Sequence, residues 1–171
     1  MSYSIHAYAV EQKAVQKIFG SQDEAFLNSL VHAQKWEIQQ LRDMLDSDLS
    51  PLDALKDIIS GNLQAQSEGA MYAHVTELIC RQLGQELPNS EWNDLSMNWL
   101  MDINMEATLP IAELPLPLDF PYVLSILNKD LEDFVDLMGA LDLEEESAWE
   151  QFDGLLSILK KGKKDLVLFF Y

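Results

Sequence analysis

The chain has 171 residues, nearly half of them apolar, with four tryptophans, one cysteine and a net charge of −18. That length and apolar content suit one folded domain and exclude global disorder, and the lone Cys80 excludes an intramolecular disulfide and a multi-cysteine zinc site. A nucleic-acid backbone or an anionic membrane surface is repelled by so acidic a molecule, whereas a basic protein is attracted.

Residues 3–10, Tyr-Ser-Ile-His-Ala-Tyr-Ala-Val, alternate β-formers loosely and predict an opening strand. Val15, Ile18 and Phe19 recur at helical spacing from Glu11, and Gly20 is a suitable left-handed stop. Ser21 followed by Glu24 reads as a capping box. It opens a helix through Phe26, Leu27, Leu30 and Val31 towards Leu45, with a break near residue 33 left open. Ser50-Pro51-Leu52-Asp53 is the clearest helix start: serine caps, proline fits the first turn and Asp53 faces the exposed amides. Leu52, Leu55, Ile58 and Ile59 form its apolar stripe and Gly61 ends it. The next helix is expected over about 67–87, burying Met71, Val75, Leu78, Ile79 and Leu83 until Pro88-Asn89-Ser90 breaks it. Cys80 falls on that inward face and is read as a buried, inert thiol.

Trp92, Leu95, Trp99 and Leu100 fit a short helix, after which Pro110, Pro115, Pro117 and Pro121 space out an extended strap. Leu131, Phe134, Val135, Met138 and Leu141 mark a helix with Asp130, Asp133 and Asp136 outward. A last helix runs from about Glu145 to Lys161, with Trp149, Phe152, Leu155, Leu156 and Leu159 inward. Acids at its start and lysines at its end complement its dipole. Asp165–Tyr171 is a dense apolar β-forming run, which pairs most economically with residues 3–10. The expected architecture is α+β and mainly helical, about six helices around a small sheet that pairs the two terminal strands in one domain, 1–171.

Several segments occur in the same order in a known family. They are Met1-Ser-Tyr3-Ser-Ile5-His-Ala-Tyr8-Ala9-Val10, Ile18-Phe19-Gly20-Ser21, Leu87-Pro88-Asn89-Ser90, Asp119-Phe120-Pro121 and Asp165-Leu-Val167-Leu-Phe169-Phe170-Tyr171. Over nearly its whole length the chain resembles a bacterial family of small single-domain proteins classed as a domain of unknown function. Where that family has a glycine-containing turn after Asp-Phe-Pro, this chain has Tyr122-Val123-Leu124. The resemblance implies a bacterial, soluble, single-domain protein and supplies no catalytic residue.

The residues themselves point away from an enzyme. There is no Gly-x-Ser-x-Gly, no recognisable cysteine-protease signature and no phosphate-cradling glycine loop. His6, His32 and His74 fall on separate predicted elements; His74 and Glu77 are one helical turn apart, but the paired motifs of metal-binding helices are missing. No metal or cofactor is therefore expected. His74 reads as structural, and His6 lacks an identifiable partner. Lys160, Lys161, Lys163 and Lys164 make a poor nucleic-acid patch on so acidic a chain, and no calcium-loop spacing or resolvable carboxylate pair stands out.

What remains is the placing of the charge. Residues 86–153 hold seventeen carboxylates and one lysine, Lys129, a net −16, whereas residues 1–85 carry −5 and residues 158–171 carry +3. Aromatic residues are threaded through the acidic stretch, so the carboxylates decorate a folded surface rather than a tail. Solubility alone accounts for an acidic protein but does not require this asymmetry. The leading expectation is an acidic protein-binding inhibitor, a bacterial immunity protein that neutralises a basic toxin, with contacts from Asp130, Asp133, Asp136, Glu144, Glu145 and Glu146. Trp92 or Trp149 would serve as anchors if exposed. The alternatives are a nucleic-acid mimic, an adaptor for a basic partner, or an enzyme built on an unrecognised carboxylate pair. The N-terminus shows no basic segment followed by an apolar run, and no apolar stretch nears the roughly 20 residues needed to span a bilayer. A cytoplasmic location without membrane or nucleic-acid partners is expected.

Overall fold

A four-stranded antiparallel sheet forms the middle layer of the molecule. The computed structural model describes residues 4–63, 65, 67–88, 114, 115, 121–139 and 146–171, with the side chains of 137–139 and 146–149 excepted. The strands are β1 (Ile5–Val10), β2 (Gln85–Leu87), β3 (Tyr122–Ile126) and β4 (Asp165–Phe170), in the order β2-β1-β4-β3. The two terminal strands are therefore the central pair, in a register that sets Ile5 against Phe170 and Val10 against Asp165. Side chains alternate across a strand, and both faces of this pair are apolar because both are covered.

On one face lie five helices, α1 (Gln12–Ile18), α2 (Glu24–Ala33), α3 (Lys35–Met44), α4 (Pro51–Ser60) and α5 (Gly69–Leu83). Their core joins Tyr8, Val10, Val167 and Phe169 of the sheet to Val15, Leu30, Leu55, Ile58, Met71, Tyr72 and Ile79. On the other face lie α6 (Leu131–Gly139), entered through a 3-10 turn at Asn128–Asp130, and α7 (Glu146–Gly162). Here Ile5, Ala7, Leu166, Leu168 and Phe170 meet Leu131, Phe134, Phe152, Leu155 and Leu159. The fold is α+β and mainly helical, with seven α-helices among the described residues.

The helix signals act through their caps. Ser50 Oγ accepts from Asp53 N–H, Pro51 fills the first turn, and Gly61 closes α4 with φ +73°. The break left open near residue 33 falls at Gln34, where φ −118° and ψ 34° separate α2 from α3. The capping box is corrected by two residues. Gln22 takes a positive φ of 56°, so the chain turns there. Asp23 becomes the cap, accepting from Phe26 N–H, while Ser21 Oγ accepts from Asp23 N–H. The helix expected to reach residue 87 stops at Leu83, and Gln85–Leu87 joins the sheet with Tyr8 opposite Glu86. Gly84 permits this switch, since a Cβ there would lie 2.6 Å from the carbonyl oxygen of Ala9. Strand β3 directly follows Pro121, where the sequence suggested only the end of a strap. The short helix around Trp92 and most of the proline strap lie outside the described residues.

Candidate functional site

The expected acidic contacts divide. Asp133 and Asp136 on α6 are exposed, and Asp130 is partly exposed in the 3-10 turn and lies 3.8 Å from Lys129; Glu132 on α6 and Glu150 and Asp153 on α7, which are not among the expected contacts, are exposed beside them. Glu144 and Glu145 fall outside the described residues, as do Trp92 and the side chains of Glu146 and Trp149. Because α6 and α7 pack side by side on the sheet, their outer edges frame an open groove. Its lining is Glu132, Val135, Asp136, Asp153, Leu156, Ser157 and Lys160. Asp136 and Asp153 thus share one depression although they stand on different helices. Lys160 is 3.3 Å from Glu132, while Asp133, Asp136 and Asp153 form no ion pair among the described residues. Beside the Lys160–Glu132 pair, the groove sets Asp136 and Asp153 around an apolar floor of Val135 and Leu156.

A second cluster lies at the opposite face, where α5 crosses the beginning of β1. Glu77 of α5 is its centre: its side chain, 8 % exposed, meets His6 of β1 and Tyr171 just past β4. Glu77 Oε1 lies 2.7 Å from His6 Nδ1 and accepts from the Tyr8 hydroxyl at 2.6 Å, and Oε2 accepts from the Tyr171 hydroxyl. Arg81, one turn further along α5, donates to the Tyr8 oxygen at 2.9 Å and stands 3.6 Å from Glu77. Its guanidinium also lies 3.5 Å from Glu86 of β2 and 3.8 Å from Glu37 of α3. Tyr8 therefore relays polarity, receiving from the cation and giving to the carboxylate.

The electrostatics follow from that wiring. Burial alone would push the Glu77 carboxyl up, but the bonds from His6, Tyr171 and Tyr8 outweigh it and hold the group below the usual carboxylate range. The bond to Glu77 raises His6 against the opposing effect of its burial. His74, whose ring centroid is 5.1 Å from that of Tyr171, is pushed down by burial. Burial and the nearby carboxylate push both tyrosine hydroxyls up, so they remain donors. A carboxylate holding the Nδ1 side of an imidazole fixes the ring's orientation, as in acid–base sites. His6 here makes no hydrogen bond to a serine, threonine or cysteine among the described residues.

Sequence reasoning missed this cluster. Its one local signal was the spacing of His74 and Glu77, yet Glu77 bonds His6 rather than His74. Cys80, on the same helix, is fully buried, and burial pushes its thiol up, in keeping with an inert core residue. No group of three or more potential ligands suited to a metal occurs among the described residues, and no described helix is long and apolar enough to cross a membrane.

The family model described as "Domain of unknown function (DUF7691)" matches residues 1–171, and the chain belongs to that family. No curated protein and no solved structure matches it.

Proposed function

We propose that the protein is a stoichiometric protein-binding inhibitor, a bacterial immunity protein that meets a basic toxin with the outer edges of α6 and α7 and acts in the cytoplasm. The observation that carries this reading is the groove in which Asp136 and Asp153, without an ion pair among the described residues, stand beside Val135 and Leu156. Exposed carboxylates that outnumber the one cation among them, Lys160, exert a net negative field outward, which speeds the approach of a basic partner and penalises an acidic one. An apolar floor between them gives such a partner something to desolvate, which is where binding energy concentrates.

The test has two stages. Tagged protein is used to capture partners from its host at low salt, with high-salt elution separating charge-dependent from adventitious binding. The recovered protein is then purified and its association measured against Asp133→Lys/Asp136→Lys and Asp153→Lys variants. The reading expects association to slow by about tenfold or more, with a shallower salt dependence. Unchanged kinetics with an identified partner would place the binding surface elsewhere. A partner that is not toxic when produced alone would remove the immunity assignment while leaving a binding role.

A further inference from the structure

Tyr171 packs against two histidines that differ in exposure and in hydrogen bonding. The His6 ring centroid lies 4.9 Å from that of Tyr171 and the His74 centroid 5.1 Å from it. His6 is 40 % exposed at its side chain and touches the Glu77 carboxylate. His74 is buried and has no hydrogen-bond partner among the described residues. The residue they share ends the sheet: Tyr171 N–H donates to the Ser4 carbonyl at 2.9 Å, Ser4 N–H donates to the Tyr171 carbonyl at 3.2 Å, and the Tyr171 hydroxyl donates to Glu77.

We propose that His6, His74, Glu77 and Tyr171 form a pH-sensitive latch that fastens the end of the central strand pair to α5, closed while His6 is protonated and His74 is neutral and loosened when either condition fails.

The groups facing the latch come from every element around it. From β1 there are His6 and Tyr8, from α5 His74, Glu77 and Arg81, from β2 Glu86, from α3 Glu37, and beyond β4 Tyr171. Arg81 is charged throughout and is already shared among Glu77, Glu86, Glu37 and Tyr8, so it cannot replace His6 as the cation on the Tyr171 side. When His6 loses its proton, its bond to Glu77 survives only as a neutral one, in the tautomer that carries hydrogen on Nδ1. Charge-assisted bonds are roughly twice as strong as neutral ones, so the contact weakens without disappearing. When His74 gains a proton, a second cation is buried near His6 with no hydrogen-bond acceptor of its own among the described residues, and the Glu77 charge offsets only part of that cost. The two events therefore act at opposite ends of the neutral range.

The sign follows for each group. His6 is raised in the folded protein, so its stabilisation is fully present below the unfolded histidine value, about 6.5, and is lost as pH climbs through the folded value. His74 is lowered, so its contribution is fully present above about 6.5 and is lost as pH falls through the folded value. Together they give a maximum near pH 6.5, with His6 setting the alkaline limb and His74 the acid limb. Glu77, lowered as a carboxylate, withdraws its contribution only below the ordinary glutamate range of about 4 and so lies outside this window.

The latch does not depend on the protein-binding reading, and its test needs no partner. Histidine ring resonances of the full chain are followed by NMR between about pH 5 and pH 9, a range in which surface carboxylates stay ionised. His6 is expected to titrate above, and His74 below, the ordinary value. In the same samples, hydrogen exchange at the Tyr171 amide, corrected for the intrinsic effect of pH, is expected to be slowest near about pH 6.5 and to quicken by about threefold or more towards either end. His6→Gln should remove the alkaline limb and keep the acid one, and His74→Gln the reverse. Two histidines titrating together at the ordinary value, or Tyr171 exchange that does not respond to pH, overturns the proposal. Both readouts come from the unmodified protein, so they decide the matter even if a variant does not fold.

Discussion

Gly61 and Gly20 meet backbone to backbone: a Cβ placed on Gly61 would lie 2.9 Å from the Cα of Gly20. Around that contact the end of α4 receives the turn between α1 and α2, with Gly20 N–H donating to Ile58 O at 2.9 Å and Gln22 N–H to Ile59 O at 2.8 Å. Gly61 is also left-handed, at φ +73°. Gly61→Ala therefore adds a steric clash to a conformational penalty, and a loss of about 2 kcal/mol is expected. The measurement is the urea midpoint at constant m-value.

Gly154 gives the opposite sign. It lies exposed in the middle of α7, and an added Cβ would meet nothing within 4 Å. Gly154→Ala should raise stability by roughly 0.5–1 kcal/mol, since it removes unfolded-state freedom at no cost in packing. The same urea titration, run beside Gly61→Ala, checks the contrast.

Glu77→Gln keeps the shape of the side chain and removes its charge. His6 and Arg81 then lose their shared anion in a largely buried place, and because Tyr8 and Tyr171 donate to different carboxylate oxygens only one hydroxyl keeps an oxygen to bond. A cost of about 3 kcal/mol is expected, in the range for breaking one partner out of a buried ionic cluster. A fall of less than about 0.5 kcal/mol in denaturant unfolding would mean that packing alone holds α5 to the sheet.

Asp165 caps a helix from the far end of the sequence. Its Oδ2 accepts from Gln12 N–H, the first amide of α1, and its Oδ1 from Asn128 N–H, which starts the 3-10 turn, both at 2.8 Å. Glu11, the residue placed to cap α1, makes no cap bond. Asp165→Ala leaves two amides without acceptors and should cost about 2 kcal/mol. Amide exchange should rise at both Gln12 and Asn128, which distinguishes loss of the cap from a general weakening.

Phe152→Ala tests what keeps α7 in place. The ring is buried, 5.9 Å from that of Phe134 and inclined at 58° to it, so it ties α7 to α6 over the sheet. Deleting it should cost about 3–5 kcal/mol. It should also weaken any binding through the groove, although Phe152 does not line it.

The legible parts of this molecule were those whose cause is local. Ser50, Pro51, Asp53 and Gly61 delimit α4 because a cap, a fixed φ and a left-handed stop all act within a turn of themselves. The pairing of β1 with β4 was readable because two apolar β-forming runs have few other places to go. Strand β2 was hidden because Gln85-Glu86-Leu87 is short and polar and follows a helix without a strong stop signal; only its register with β1 makes it a strand. Strand β3 was hidden by the proline-rich stretch before it. The Glu77 cluster was invisible for a different reason. His6, Glu77 and Tyr171 have no fixed spacing, and only the crossing of α5 over the sheet brings them together. The acidic character of α6 was plain from its composition, but the sharing of a groove by Asp136 and Asp153 depends on how two helices settle side by side.

The placing of β1 and β4 at the centre of the sheet has a consequence in time. During synthesis Ile5–Val10 is made well before Asp165–Phe170, the strand that pairs along the whole of one of its edges. Helices α1–α5 can begin to form from local signals, yet the floor they rest on lacks Val167 and Phe169 until synthesis has passed them. Until then that edge of β1 is unpaired, and joining it to β4 requires closing the long loop between Val10 and Asp165. The nascent protein therefore carries an unsealed apolar strand from the making of β1 until β4 has been made. The interval before closure is the point at which a chaperone would matter most to its yield.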